Sequence, residues 1–264
     1  MSGLVTIVTG GTFGIGRAIT LTLAARGHRV TAFGLEERQL SSLAENAIPG
    51  LQETLSEAGL SADLLIADVS VAEDVERVVA HVHEKHGRID ALINNAAIGP
   101  LGTVLDTDEA DWDRIMAVNL KGPYLCARAV LPYMIEQRGG RIVNVGSGAG
   151  WGKPNMAAYA TSKGGIHAFS AALAYDHFRD GVRVNTVIPG GGGILSGMSL
   201  GRVDGDMSRF GKGAPGTAAG RPATGEDLAK AVAFLLSDDA EAISGTVIDV
   251  GCFSHQGGPI PAKA

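Results

Sequence analysis

The chain has 264 residues, 45% of them hydrophobic, and a formal charge of −6, which is typical of globular proteins. Its 22 lysines and arginines do not outnumber its 28 aspartates and glutamates, so the basic surface of a nucleic-acid binder is not expected. Cys126 and Cys252 are too few for a disulfide framework or a cysteine-rich metal site. The sequence shows neither a signal-peptide pattern nor an apolar run of the roughly 18–20 residues that span a bilayer. We therefore expect a cytoplasmic protein without membrane partners.

Short aliphatic runs alternate with segments of helical periodicity. Seven runs are predicted to be strands: Leu4–Thr9, Arg29–Phe33, Ala62–Ala67, Ala91–Asn94, Arg141–Val145, Arg183–Ile188 and Thr246–Val250. A first helix is predicted over Ile15–Arg26, with Gly27 as its C-terminal cap. Another helix is predicted from the valines of residues 75–82, spaced as one buried stripe, and it is expected to stop at Gly87.

This βαβ alternation predicts a Rossmann-like, doubly wound α/β fold, with a mainly parallel sheet and helices on both faces. We expect one domain over residues 1–264. Two segments interrupt the alternation: residues 45–61, which contain Pro49-Gly50, are predicted to be a surface elaboration, and residues 190–221 are predicted to form a substrate loop. The tail, about residues 252–264, is predicted to be irregular.

A glycine-rich turn follows the first predicted strand. Residues 9–16 read Thr-Gly-Gly-Thr-Phe-Gly-Ile-Gly, with three residues between the first two glycines instead of the common one. Gly10 permits a tight turn, Gly14 permits close approach of a pyrophosphate, and Gly16 permits close packing of helix on strand. A glycine pattern is also compatible with a turn that binds no ligand, but its place in the first βα unit favours a dinucleotide.

Two further strand ends carry polar residues. Asp68 follows the third strand and is predicted either to reach the adenine edge of a nucleotide or to cap the next helix. Asn94-Asn95-Ala96-Ala97 closes the fourth strand, where small side chains would admit a cofactor. The alternative for this segment is an Asx turn.

Tyr159 and Lys163 are four residues apart, so a helix would place both side chains on one face. A neighbouring ammonium favours phenolate and lowers the phenol pKa, as general acid–base catalysis requires. Ser147 ends the fifth strand, at the edge where open α/β sheets bind ligands, and is a candidate for holding a carbonyl oxygen. Asn119 lies on an apolar helix and is predicted either to hold a water near Lys163 or to be a satisfied core amide. A tyrosine and lysine at this spacing are usually plain helix surface, and the other residues argue against that reading here.

Together these residues resemble the short-chain dehydrogenase/reductase superfamily, from Val5 to about residue 249. The resemblance implies an NAD- or NADP-dependent oxidoreductase that moves a hydride between the nicotinamide and an alcohol or carbonyl carbon. It implies that Tyr159 is the acid/base and that Lys163 lowers the tyrosine pKa and binds the nicotinamide ribose. It also implies that Ser147 orients the carbonyl and that Asn119 supports a proton relay.

The resemblance further implies a homo-oligomer, a dimer or tetramer built through helices near Asp111–Arg138 and Ala157–Arg179. Asn185 and Pro189 also match the family pattern. The residues expected to contact the cofactor are Gly10, Thr12, Phe13, Gly14, Ile15, Gly16, Gly34, Leu35, Asp68, Val69, Asn95, Ala96, Ala97, Tyr159, Lys163, Pro189, Gly190, Ile194 and Ser196.

The chain departs from the family pattern in several places. Ala97 stands where glycine is usual, and the segment from Ser147 to Tyr159 is one residue shorter than usual. Glycines 191–193 lengthen the segment after Pro189 by two residues, and Asp249-Val250-Gly251-Cys252 replaces an Asp-Gly-Gly ending.

The choice between NAD and NADP is not decided by the end of the second strand. Family members that prefer NAD usually carry an aspartate at this position. Those that prefer NADP usually carry an arginine at the next position or a basic residue before the second glycine. At these three positions this chain has Gly34, Leu35 and Phe13. Glu36-Glu37 would repel a 2′-phosphate, whereas Arg38 would attract one. The sequence favours NAD slightly and leaves dual specificity open.

The leading hypothesis is therefore an enzyme acting on an alcohol or carbonyl. A catalytically silent nucleotide-binding regulator or scaffold is the alternative, and elimination or epimerisation with the nicotinamide recycled is a third. No metal is expected, because His81, His83 and His86 lack carboxylates at ligand spacing. The substrate is not identified. The 190–221 loop offers apolar residues (Met198, Leu200, Met207, Phe210) and polar ones (Ser196, Arg202, Lys212), each expected more as surface than as ligand.

Overall fold

The computed structural model describes residues 3–35, 47–189, 194, 198 and 217–251. A parallel sheet of seven strands lies at its centre, in the order β3-β2-β1-β4-β5-β6-β7. The strands are β1 (Val5–Thr9), β2 (Arg29–Gly34), β3 (Asp63–Ile66), β4 (Ala91–Asn94), β5 (Gly140–Val145), β6 (Val182–Ile188) and β7 (Val247–Asp249). All seven predicted strands are confirmed, and no end differs by more than one residue from the prediction.

Seven α-helices of the described chain pack on the sheet. They are α1 (Gly14–Ala25), α2 (Ala47–Glu57), α3 (Ala72–His86), α4 (Glu109–Met116), α5 (Gly122–Glu136), α6 (Ala157–His177) and α7 (Gly225–Leu236). One hydrophobic cluster joins the sheet to α1, α2 and α7, and a second joins it to α3, α5 and α6. The doubly wound α/β fold is confirmed, with every strand pair parallel.

The two helices predicted from periodicity end at glycines, as expected. Helix α1 is followed by Gly27 at φ +81°, and Gly87 caps α3 at φ +69°. Val75, Val78, Val79 and Val82 are buried on α3. At both ends the left-handed backbone, which glycine adopts without a Cβ penalty, stops the helix where the apolar stripe stops.

The prediction of a surface elaboration at residues 45–61 is wrong over its described part. Residues 47–57 form helix α2, whose Leu51 and Leu55 are almost fully buried in the cluster shared with α1 and α7. Pro49 lies in the first turn of this helix, where its missing N–H costs no intrahelical hydrogen bond. The Pro49-Gly50 pair therefore starts a core helix instead of interrupting one.

Much of the two predicted irregular regions lies outside the described residues. In the 190–221 segment only Ile194, Met198 and residues 217–221 are described, and none of the tail from residue 252 onward is. In the described portion of the chain, no helix has both the length and the apolar character needed to cross a membrane.

Candidate active site

The strand order brings the predicted site residues to one edge of the sheet. The chain moves outward from β1 to β2 and β3, then returns to the other side of β1 with β4. In a parallel sheet this reversal opens a crevice at the carboxyl ends of the strands, where α/β proteins bind ligands. The glycine turn after β1, Asn95 after β4 and Ser147 after β5 all lie at this edge.

The glycine turn is folded tightly against helix α1 and the end of β4. Gly10 and Gly14 have φ of +60° and +54°, in the region that glycine enters freely. A Cβ on Gly16 would collide with the carbonyl oxygen of Gly10, and one on Gly10 would lie 2.9 Å from the Ala96 Cα. Gly10 and Gly16 are therefore required by packing within the protein.

Asn95 and Thr9 lock this turn to β4. The backbone N–H groups of Asn95 and Ala96 both donate to Thr9 Oγ1 at 3.0 Å. The Asn95 amide in turn donates to the carbonyl oxygens of Thr9 at 3.1 Å and Gly10 at 3.0 Å. The Asn95 side chain thus bonds across to the end of β1, which differs from the local Asx turn considered as the alternative.

The amino end of α1 suits an anionic ligand. Phe13 occupies the N-cap position and supplies no side-chain acceptor, and no acidic residue lies in the first turn. The first backbone N–H groups of the helix, those of Gly14, Ile15 and Gly16, are thus without a side-chain cap, and the helix dipole adds a partial positive charge. The described residues here fit a dinucleotide pyrophosphate.

Two predicted adenosine-side positions lie at the ends of β2 and β3. Gly34 faces Thr12, since a Cβ on Gly34 would lie 3.1 Å from Thr12 Oγ1, and Leu35 is half-buried beside it. Asp68 Oδ1 accepts hydrogen bonds from the backbone N–H and the hydroxyl of Ser70. Asp68 therefore forms a local turn, and the prediction that it caps the next helix is wrong, because α3 begins after Val71. Its neighbour Val69 is buried.

Tyr159 and Lys163 share one face of α6, and both are buried, with 7% and 3% of their surface exposed. The Lys163 ammonium lies 5.9 Å from the centroid of the Tyr159 ring. Lys163 Nζ donates to the carbonyl oxygen of Val145 at 2.8 Å. Burial lowers the pKa of Lys163 from 10.5 to about 8, so the group stays mostly charged at neutral pH. The pair thus combines a phenol with a fixed neighbouring charge.

Ser147 begins a short 3₁₀ turn, Gly148–Trp151, directly after β5. Its Oγ accepts a hydrogen bond from the Ala149 N–H at 3.2 Å, and the residue is half-buried. Because Oγ acts here as an acceptor, its own hydrogen remains able to donate to a substrate oxygen.

Asn119 lies in a π-helical turn, Ala117–Lys121, between α4 and α5. Its Oδ1 accepts from the Ile98 N–H at 2.8 Å, and its Nδ2 donates to the Ile98 carbonyl and to Ser162 Oγ. Both ends of the amide therefore have protein partners, as the core-amide alternative expects, and Asn119 ties the chain after β4 to α6. The expectation that this residue holds a water stays a prediction.

Three other asparagines support the sheet edge from inside. Asn94 Nδ2 donates to Asn144 Oδ1, and Asn144 Nδ2 donates to Ser170 Oγ on α6, each at 2.8 Å. Asn185 Nδ2 donates to the Ile243 carbonyl, which joins β6 to the segment before β7. These contacts hold strand ends in place and leave the open edge to other residues.

The remaining predicted cofactor residues fall into two groups. Ala97 and Pro189 are half-buried and Ile194 is buried. Gly190 and Ser196 lie outside the described residues, as do Glu36, Glu37 and Arg38.

Some features of the site were absent from the sequence predictions. The Val145 carbonyl that holds Lys163 is a backbone group and has no sequence signature. His167 lies four residues after Lys163 on α6, and this spacing was a usable signal. Within the described ranges, no three His, Cys, Asp or Glu side chains are grouped as a metal site would require.

The chain matches the family model described as short chain dehydrogenase over residues 4–199. It is 39% identical over 250 residues to 2-(S)-hydroxypropyl-CoM dehydrogenase 3 of Xanthobacter autotrophicus, covering 92% of this chain and 93% of that one. It is 34% identical over 264 residues to the 3-oxoacyl-(acyl-carrier-protein) reductase FabG of Thermotoga maritima, covering 95% and 97%. A solved structure of a short-chain dehydrogenase/reductase from Burkholderia xenovorans has a TM-score of 0.83 at 32% identity, covering 95% of both chains.

Both named relatives are oxidoreductases of alcohol and carbonyl groups, and nothing in these similarities favours a catalytically silent regulator. The family match covers most of the chain, and the fold agrees with that of a solved member. The chain therefore belongs to the short-chain dehydrogenase family and is a nicotinamide-dependent oxidoreductase that acts on an alcohol or carbonyl carbon.

Proposed function

We propose that Tyr159 is the general acid/base of this oxidoreductase and that Lys163 and Ser147 act with it. The observation that carries the proposal is the buried Lys163 ammonium, 5.9 Å from the centroid of the Tyr159 ring and bonded to the Val145 carbonyl. A positive charge held there favours the phenolate, and its field is strong because water is largely excluded.

In the reductive direction, Tyr159 donates its phenolic proton to the carbonyl oxygen of the substrate. The Ser147 hydroxyl donates a hydrogen bond to the same oxygen and stabilises the charge that develops on it. In the oxidative direction, the Tyr159 phenolate accepts the alcohol proton. The nicotinamide, when bound, supplies or accepts the hydride. Asn119 acts at a distance, by fixing the Ile98 segment against Ser162 of α6.

The dinucleotide is proposed to lie across the carboxyl ends of β1 and β4. The free N–H groups at the start of α1 would hold its pyrophosphate, and Asn95 and Ala96 would lie against it. Lys163 uses one N–H on Val145, and an ammonium has three, so it retains donors for a ribose hydroxyl. NAD is the proposed preference, because Gly34 and Leu35 provide no cation for a 2′-phosphate.

The substrate is proposed to be a secondary alcohol or the corresponding ketone. The names of the two relatives, a 2-hydroxypropyl dehydrogenase and a 3-oxoacyl reductase, both describe a carbon inside a chain. The 190–221 segment is proposed to supply the substrate wall.

A direct test titrates NADH and NADPH in parallel, then follows a panel of secondary alcohols and ketones at 340 nm with the cofactor that binds. Tighter binding of NADH with turnover of a secondary substrate is the expected result. Tighter binding of NADPH would overturn the cofactor preference, and binding without turnover of the panel would count against the substrate class. Binding of neither would contradict the glycine-turn site.

A homo-oligomer in the cytoplasm is also proposed. An open groove of about 580 Å³ lies on the face built by α4, the π-helical turn, α5 and α6, between Met116, Leu120, Tyr124 and Phe169. The family resemblance implies a subunit contact through these helices, and an apolar groove on them is suited to a second copy. Sedimentation of the wild type and of Tyr124→Glu tests this, because the variant should shift the protein toward monomer.

A further inference from the structure

The imidazole of His167 lies beneath the turn that carries Ser147. His167 follows Lys163 by four residues and Tyr159 by eight, so the three side chains form one stripe along α6. Tyr159 and Lys163 are already placed in the proposed chemistry. The third member of the stripe has no role in it so far.

The ring of His167 touches the backbone on both sides of Ser147. A Cβ on Gly146 would lie 2.8 Å from His167 Nε2, and a Cβ on Gly150 would lie 2.7 Å from His167 Cε1. Both distances are shorter than real Cβ contacts, so any larger residue at either position would push the ring away. The ring and the two glycines are therefore closely packed, and Ser147 lies between these glycines in the chain.

Trp151 packs on the ring, and Thr186 lies close to the same glycine that the ring contacts. The Trp151 ring packs on the imidazole with a centroid distance of 4.5 Å and an interplanar angle of 40°. On the inner side, Thr186 Cγ2 of β6 would lie 2.7 Å from the same Gly146 Cβ. His167 thus packs against Trp151, the last residue of the 3₁₀ turn, and Gly146 lies close to both His167 and Thr186.

The His167 ring acts through its size and shape, and not through a hydrogen bond or a charge. Its Nε2 is buried and has no hydrogen-bond partner in the described chain. Burial first, and then the charge of Lys163, hold the pKa of His167 below its ordinary value. The ring is therefore neutral at neutral pH, and Lys163 remains the charged group beside Tyr159.

We propose that His167 is a positioning residue for Ser147: its ring supports the backbone from Gly146 to Trp151 and sets the distance from the serine hydroxyl to Tyr159. The inference rests on the roles proposed above for Ser147 and Tyr159. Removing the ring would leave a cavity beneath the turn, and the turn would settle into it. A displacement of an ångström at a group that binds the reacting oxygen is enough to slow the reaction strongly.

A double-mutant cycle tests whether His167 acts through Ser147. His167→Ala is expected to lower kcat about tenfold or more and to change the Kd of the cofactor by less than about twofold. In a Ser147→Ala background, where no hydroxyl remains to be positioned, the same substitution should have almost no effect on kcat. His167→Phe retains a ring and should recover most of the loss. Leu173→Ala is the control, because it removes core packing from the same helix within the cluster of α3 and α5.

Tryptophan fluorescence reports the geometry independently of turnover. The chain has two tryptophans, so Trp112→Phe leaves Trp151 as the only emitter. In that background His167→Ala should shift the Trp151 emission to the red, and His167→Phe and Leu173→Ala should not.

These experiments distinguish a failure of the His167 proposal from a failure of the proposed function. If His167→Ala lowers kcat equally with and without Ser147, or leaves the Trp151 emission unchanged, the positioning role is wrong while the proposed function stands. If Ser147→Ala alone leaves kcat unchanged, the role of Ser147 fails first, and the inference about His167 fails with it.

Discussion

The Lys163 ammonium donates to the carbonyl oxygen of Val145 at 2.8 Å, and this buried bond ties helix α6 to the carboxyl end of β5. Tyr159 lies one helical turn before Lys163, and Ser147 lies two residues after Val145. The proposed acid/base and the proposed carbonyl-binding hydroxyl are thus set relative to each other through one contact. The lysine is both a charge beside the phenol and a link between the two elements that carry the chemistry.

Tyr159→Phe should reduce kcat by about 10³-fold, because it removes the transferable proton. The substitution retains the buried aromatic ring of this residue. The Kd of NADH should change by less than about twofold, since phenylalanine leaves the glycine turn and Lys163 in place. Steady-state kinetics and a fluorescence titration of NADH measure the two effects. Tyr175→Phe is the matched control, as it makes the same change at a position on α6 that is 80% exposed. Retained turnover in Tyr159→Phe would remove this residue from the mechanism.

Lys163→Met should abolish turnover and raise the melting temperature of the cofactor-free protein at pH 7. Burial lowers the pKa of Lys163 from 10.5 to about 8. Below pH 8 the native state therefore contains a buried charge, which lowers the free energy of unfolding. Between pH 8 and 10.5 the native lysine loses its proton while the unfolded chain keeps it, so wild-type stability rises with pH in this range. The difference in melting temperature between Lys163→Met and the wild type should therefore become smaller from pH 7 to pH 10.

Thermal unfolding at a series of pH values measures this difference in melting temperature. Lys230→Met serves as the control, since it makes the same change on the exposed side of α7. A lower melting temperature of Lys163→Met at pH 7 would contradict the predicted stabilisation. A difference in melting temperature that is constant with pH would contradict the assignment of Lys163 as a buried charge.

The strands could be predicted within one residue because each short aliphatic run is followed by glycine, proline or a polar residue. Helix α2 could not, because Pro49-Gly50 is typical of a loop, and only the burial of Leu51 and Leu55 shows that the pair begins a helix. For a segment of this kind, tertiary packing outweighs the local signal.

The site was predictable where side chains carry a spacing, as Tyr159 and Lys163 do. It was not predictable where the partner is backbone, as with the Val145 carbonyl. For Asn119 the sequence could not predict its protein partners, because the π-helical turn brings the amide against Ile98, which is 21 residues away in the chain. Contacts with residues that are distant in the chain determine the position of such side chains.

Gly16→Ala should destabilise the protein by about 1–3 kcal/mol and weaken cofactor binding, because the added methyl group collides with the Gly10 carbonyl oxygen and displaces the glycine turn. Gly50→Ala is the opposite case. Gly50 lies in helix α2, and among the described residues no atom outside its own helix backbone and chain neighbours lies within 4 Å of its potential Cβ, so alanine should stabilise the protein by about 0.5–1 kcal/mol. Urea unfolding of both variants and an NADH titration distinguish the two. Equal stabilities would show that Gly16 is not constrained by packing.

Thr9→Val should weaken both folding and cofactor binding. Thr9 Oγ1 is buried and accepts the N–H groups of Asn95 and Ala96, which join the glycine turn to β4. Valine has nearly the same shape but leaves both N–H groups without this acceptor, at a cost of about 2 kcal/mol in the free energy of unfolding. Because the same bonds fix the turn that is proposed to hold the pyrophosphate, the Kd of NADH should rise as well. Thr9→Ser, which keeps the oxygen, should retain most of the affinity.

Thr31→Val is the matched control for this loss. Thr31 on β2 is also fully buried, but its Oγ1 has no hydrogen-bond partner in the described chain. Replacing an unpaired buried hydroxyl with a methyl group should leave the free energy of unfolding unchanged or raise it by up to about 1 kcal/mol. Urea unfolding and an NADH titration on the same three variants test the contrast. If Thr9→Val and Thr31→Val behave alike, the Thr9 hydroxyl does not hold the turn, because the two substitutions differ only in the hydrogen bonds that they remove.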